Sequence, residues 1–194
     1  MSTTATNTPN NISLLFCGVG ALGSQIALYL ARPDRKFTLV DDDRVGEENL
    51  ATSAYNRTQV GVYKVNALAD LLWKKCRARA EAEHRTLEAP PLALNFTLVI
   101  DTFDNSQARS LTMGLYPPTL HVGVSAERTG AITWDEVYRL PDGPPRGQNV
   151  LCTNMLGAPI LRLTAVHAAN VVETFLATGE RRSYILNERG NIYE

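Results

Sequence analysis

Short apolar runs alternating with amphipathic stretches run through most of the chain. Ile12 to Cys17 is apolar at every position but Ser13 and is bounded by turn residues, which predicts a buried strand. From Ala21 to Arg32 the residues Leu22, Ile26 and Leu30 recur at helical spacing, and Pro33 stops the segment because proline cannot continue a helix. Lys36 to Val40 predicts a second strand, and the polar stretch from Asp42 to Arg57 predicts a loop. Val62 to Ala82 predicts one long helix. Val65, Leu68, Leu71 and Leu72 fall on one side, with Lys74, Lys75, Arg77 and Arg79 opposite or towards the end, where cations suit the helix dipole. Asn95 to Ile100 predicts a third strand ending at Asp101, and Ser106 to Leu115 a short helix.

Leu120 to Ser125 and Ala131 to Val137 predict two further strands around a polar turn. Pro141 to Asn149 holds three prolines and two glycines, which predicts an exposed, mobile loop. Pro159 to Ala177 is apolar on nearly every face and predicts a buried helix closed by Gly179, with a last strand from Ser183 to Leu186. The alternation argues for an α/β, Rossmann-like fold with a mostly parallel sheet, helices on both faces and additional C-terminal strands. A flexible tail over residues 1–10 and a single domain over 11–194 are expected, since 194 residues suit one domain.

Nineteen basic against twenty acidic residues leave a net charge of −1, so no global field draws the chain to nucleic acid or to an anionic membrane. No apolar run is expected to reach the roughly 20 residues that span a bilayer, and the polar opening lacks the features of a signal peptide. Cys17, Cys76 and Cys152 are odd in number, widely spaced and free of any C-x-x-C pair. Reduced thiols, a cytoplasmic location and no zinc are therefore expected.

The candidate chemistry starts at Gly18-Val19-Gly20-Ala21-Leu22-Gly23, a G-x-G-x-x-G turn between the first strand and its helix. Gly18 suits the tight turn, Gly20 lets backbone approach a phosphate, Gly23 permits close strand-helix packing, and free N–H groups at the helix start favour an anion. Asp41 lies 23 residues after Gly18, where a ribose-binding acid is expected at about 20. In an open parallel sheet the glycine turn, Asp41 and Asp104 should converge beyond the carboxyl ends of the strands. So far an NAD(P)-binding oxidoreductase would serve as well as an ATP enzyme.

The residues after Asp41 carry a family resemblance. Asp41-x-Asp43-x-Val45 is followed by Asn49-Leu50, then Val60-Gly61-x-x-Lys64, then Asp101-Thr102-x-Asp104-Asn105 with Arg109 beyond. In this order the motifs resemble those of the E1-like adenylyltransferases, the ubiquitin-activating enzymes and their bacterial relatives that activate sulfur carriers. The resemblance implies that a carrier's C-terminal carboxylate attacks the α-phosphate of ATP, giving an acyl-adenylate and pyrophosphate. It implies that Asp41 binds the ribose, that Asp43 joins the nucleotide-binding set, that Asn49 and Lys64 contact phosphates, and that Asp104 holds Mg²⁺. The partner would be a ubiquitin-like or sulfur-carrier protein ending in Gly-Gly, and the assembly a homodimer or a heterodimer with a related subunit.

Three departures qualify the likeness. Ala51-Thr52-Ser53 stands where the family usually carries an arginine after Asn-Leu, which leaves Arg57 as a candidate phosphate contact. The paired C-x-x-C motifs of many bacterial relatives are absent. The chain is also too short for a large catalytic-cysteine domain or a ubiquitin-fold domain. A non-catalytic partner subunit is therefore an alternative. Simpler roles stand beside the functional ones: Lys64 solvated near a helix start, Asn49 capping a turn, and Asp104 capping the next helix.

Cys17 reads as structural and Cys76 as part of a solvated helix face. Cys152 follows the Pro/Gly-rich loop and resembles in position a cysteine that some thiamine-type relatives use to accept the carrier or its sulfur. His84, His121 and His167 show no ligand spacing, and His167 reads as a core residue.

Overall fold

A computed structural model describes residues 12–89, 95–115, 117–141 and 154–194. The expected tail over 1–10 and nearly all of the Pro/Gly-rich loop lie outside these residues. In chain order the elements are β1 (Ile12–Cys17), α1 (Ala21–Leu30), β2 (Arg35–Val40), α2 (Lys64–Cys76), β3 (Arg79–Glu83), β4 (Leu98–Asp101) and α3 (Ser106–Ser110). They continue with β5 (Thr119–Val124), β6 (Thr129–Trp134), α4 (Ala158–Thr178), β7 (Tyr184–Asn187) and β8 (Ile192–Tyr193).

Among the described residues these strands form one sheet in the order β3-β2-β1-β4-β5-β6-β7-β8. The first five strands in that order run parallel, and β6, β7 and β8 join antiparallel. β1 is central and buried on both faces, which explains its near-continuous apolar run. Leu14 and Phe16 point into the main core with Ile26 and Leu30 of α1, Leu68 and Leu72 of α2, and Leu161 and Val172 of α4. Leu15 and Cys17 point the other way, into a smaller cluster with Val40 and Val99 that Phe96, Phe103 and Leu115 cover.

The helix expected over Ser106 to Leu115 ends at Ser110, and two larger expectations need correction. The helix expected from Val62 to Ala82 ends at Cys76, because Arg77 turns left-handed at φ 55° and its N–H reaches back to Leu72 and Trp73. β3 follows at the sheet edge. Ala80 and Ala82 pack towards the core and alternate with exposed Arg79 and Glu81, a charged pattern that suits an edge strand. The second correction concerns the apolar runs, since Met155–Thr178 is long and apolar enough to cross a membrane. In this fold about half of that apolar stretch is buried inside the protein. Arg35 fixes α4 to the sheet, donating to both carboxylate oxygens of Glu173 at 2.8 and 2.7 Å and to the carbonyl of Leu30.

Candidate active site

β1 pairs with β2 on one side and β4 on the other, and Cys17 lies opposite both Val40 and Asp101. The chain crosses over in opposite directions from this point, so a crevice opens beyond the three strand ends, where open α/β sheets place ligands. Gly18 takes φ +87° there while its N–H donates to Val40 at 2.9 Å. A Cβ on Gly23 would lie 2.2 Å from the Gly18 carbonyl and 2.6 Å from Thr102 Oγ1, so α1 approaches the turn as closely as glycine allows. A Cβ on Gly20 would meet nothing within 4 Å. α1 begins at this open spot with no side-chain cap and no acid in its first turn, leaving backbone N–H groups for an anion.

Asp41 and Tyr55 hold the turn in shape. Asp41 accepts from the Val19 N–H at 2.8 Å and from the Asp43 N–H at 2.9 Å, while the Tyr55 hydroxyl donates to the Val19 carbonyl at 2.6 Å. The backbone of Val19 is thus held at both its N–H and its carbonyl. Burial raises the carboxyl pKa of Asp41, against the opposing pull of Lys64 and of these N–H groups. Asp41 therefore organises the glycine turn whatever else it binds, although each oxygen retains a lone pair.

Lys64 opens α2 with its side chain largely buried and its ammonium 2.8 Å from Asp43. Burial works against this charge, but Asp41 and the bond to Asp43 outweigh it, Asp104 adds to them, and the pKa rises. Lys64, Asp41, Asp43 and Asp104 therefore share one electrostatic neighbourhood. Asp104 is exposed, and the N-cap of α3 is Asn105, whose side chain accepts from Ala108 at 2.8 Å. Among the described residues the hydrogen bond found for the Asp104 carboxylate is a long one, 3.4 Å, from Asn105. Its outward carboxylate fits a hard cation with oxygen ligands. Asn49 is half-buried, and its side-chain oxygen accepts from Gly46 at 2.9 Å, so it does cap a turn.

Arg57 stands 83% exposed and faces Glu47 at 3.7 Å, while Thr52 is fully buried. The segment around Thr52 lies along α1, with Gln25 donating to the Thr52 carbonyl and Ser24 accepting from Ala54. A cation does reach this segment, but from α4: Arg162 donates to the Ala51 carbonyl at 3.4 Å. No local motif could reveal it, because Arg162 is 111 positions away in sequence.

A buried polar network behind the Asp104 loop also went unseen in the sequence. The parallel register of β4 and β5 sets His121 opposite Asp101, and its two ring nitrogens lie 2.8 Å from Asp101 and 2.9 Å from Asp135. Tyr138 stacks on the ring at 3.7 Å between centroids. Arg109 donates to the Phe103 and Val122 carbonyls at 2.6 and 2.8 Å and lies 3.6 Å from Asp101. Burial opposes the charge on His121, but the bonds to Asp101 and Asp135 outweigh it and raise the pKa.

Cys17 is fully buried, and burial, helped by Asp101, pushes its thiol well up, which makes it inert. Cys76 is half-buried at the end of α2, and Cys152 lies outside the described residues. His167 is only half-buried, a partial departure from the expected core position. Oxygens of Asp41, Asp42 and Asp43 come within 4.8 Å of one another, but Asp43 pairs with Lys64 and Asp42 accepts from Thr86.

The profile of the ThiF family matches residues 3–182. The chain belongs to the ThiF family. Solved structures agree with this fold. PaaA superposes with a TM-score of 0.73 at 19% identity, covering 94% of this chain and 62% of its own. Escherichia coli MccB, crystallised with ATP, gives a TM-score of 0.73 at 13% identity over 97% of this chain and 64% of its own. MccB with the peptide MccA-N7isoASN gives 0.73 at 12% identity, over 97% and 65%. This ThiF-family chain thus spans less than two thirds of the length of these structures. No curated protein is significantly similar to it in sequence.

Proposed function

We propose that this ThiF-family chain binds ATP at the ends of β1, β2 and β4 and adenylates a C-terminal carboxylate. The observation that carries the reading is the convergence of an uncapped, open helix start at Gly20 with Lys64, Asp41 and Asp104 at a topological switch point. The MccB structures support it, because that neighbour holds ATP in one crystal and a MccA peptide in another.

In this reading the α1 start and Lys64 bind the phosphates, Asn49 adds a contact through its amide, and Asp41 offers its remaining lone pairs to the ribose. Asp104 holds Mg²⁺, which screens the phosphate charge against an incoming carboxylate. A carboxylate and a polyphosphate repel each other, so cations at the phosphates and fixed positions for both reactants carry the catalysis. Arg162 is a better candidate than Arg57 for the missing arginine, since it reaches the segment beside α1 while Arg57 faces Glu47 in solvent.

The acceptor in this proposal is a ubiquitin-like or sulfur-carrier protein, or a shorter peptide, with a free C-terminal carboxylate, and the assembly is a dimer or a pair with a related subunit. Transfer to Cys152 belongs to the same proposal. A thiolate there would attack the acyl-adenylate carbonyl, form a thioester and release AMP.

A second reading, a non-catalytic partner subunit, draws on the buried Thr52 at the arginine position. Exchange of labelled pyrophosphate into ATP separates the two. The adenylating enzyme catalyses it with Mg²⁺ and a carboxylate-terminated acceptor present. A chain that binds ATP but catalyses no exchange with any such acceptor is the partner subunit.

A further inference from the structure

His121 has no role in the site described above, yet its surroundings lead directly to Asp104. Its ring is 1% exposed and carries a carboxylate at each nitrogen, Asp101 at Nδ1 and Asp135 at Nε2. Two ionised carboxylates at the two nitrogens call for two N–H donors, which the doubly protonated ring supplies. Asp135 is fixed independently, because it also accepts from the N–H groups of Gly114 at 3.2 Å and Thr119 at 3.0 Å. Asp101 in turn accepts from the Phe103 N–H at 3.1 Å, and Arg109 donates to the Phe103 carbonyl at 2.6 Å. The peptide units directly before Asp104 are therefore held from both ends by a buried set of charges. Asp101 and Asp135 are balanced by His121 and Arg109, so Asp104 is the outward negative charge of this loop.

The geometry points to His121 as a positioning residue: clamped between Asp101 and Asp135, it fixes the Phe103 peptide and through it the direction in which the Asp104 carboxylate meets a cation. This rests on the adenylation reading only for the identity of that cation. Mg²⁺ tolerates little departure from octahedral geometry, so a loop that loses this anchor holds its fold yet binds the metal poorly. The loop is attached to the rest of the site by Thr102, whose hydroxyl donates to the Gly18 carbonyl at 2.7 Å. That contact stays when His121 is changed, so the glycine turn keeps its shape.

The test uses the full chain. In the parent, ¹⁵N spectra of the histidine rings should show both nitrogens of His121 protonated at neutral pH, and a neutral tautomer would overturn the clamp. In His121→Gln, hydrogen exchange at the Phe103 amide should speed up about tenfold, the signature of local loosening. The Mg²⁺ concentration for half-maximal ATP binding should rise by about threefold or more. Arg35→Gln is the control for general destabilisation, since it breaks a buried ion pair to α4. It should change both quantities by less than about twofold, as expected for a distant site.

Unchanged Phe103 exchange in His121→Gln, or equal acceleration in Arg35→Gln, overturns the assignment. So does faster exchange with no change in the Mg²⁺ requirement. If the parent binds no ATP with Mg²⁺, the adenylation reading fails instead, while ring protonation and amide exchange still decide the clamp.

Discussion

Asp104 lies on the loop beyond β4 with an exposed carboxylate, whereas Asp101 at the strand end is wholly buried against His121. Replacing Asp104 by Ala removes charge without packing, so the melting temperature should stay within about 2 °C, as for other surface changes. Mg²⁺-dependent adenylation should fall by about 100-fold or more; equal rates in mutant and parent would reject the metal assignment. Unlike Asp104→Ala, His121→Gln should also lower stability. It strands two carboxylates beside Arg109 and Tyr138 and should cost about 3 kcal/mol of stability at mildly acid pH.

The pH dependence follows from the raised pKa of His121. The stabilisation is complete below the unfolded value of about 6.5 and is lost as pH rises through the higher folded value. Melting curves of parent and mutant should therefore converge as the solution becomes alkaline, and a gap that widens would contradict the charged clamp. Gly18, Gly23, Asp41 and Lys64 were readable because they sit in local motifs. His121, Asp135 and Arg162 were not, since only strand register and helix packing bring them to their partners.

At the scale of elements, the turn between α2 and β3 shows where pattern reading failed. Basic residues over 74–79 look like the polar continuation of an amphipathic helix, and nothing in their composition marks Arg77 as left-handed. A non-glycine residue in that conformation costs about 1 kcal/mol, of which the stacking of Arg77 over Trp73 at 5.3 Å returns a part. Arg77→Gly should accordingly raise the melting temperature by roughly 1–2 °C. A fall would mean that the side chain contributes more than the backbone strain. β1, α1, β2 and α4 were read correctly because each is buried or strongly periodic, whereas β8, two residues long, offers no period to detect.

For the molecule as a whole, the Arg35–Glu173 pair ties the N-terminal strands to α4, which lies far along the chain and packs beside α1. Arg35 is 4% exposed, so Glu173→Ala leaves a buried guanidinium without its partner and should cost about 3 kcal/mol. Urea unfolding that shifts as one cooperative transition would show that both halves fold together; two separate transitions would show that they do not.

If a carboxylate attacks the α-phosphate of ATP at this switch point, one of its oxygens must pass to AMP. A carrier or peptide labelled with ¹⁸O in its C-terminal carboxylate is incubated with the chain, ATP and Mg²⁺, and the acyl-adenylate is then hydrolysed at its carbonyl. One ¹⁸O should appear per AMP formed, with pyrophosphate as the other product. AMP without label, or ADP and phosphate in place of AMP and pyrophosphate, would contradict it.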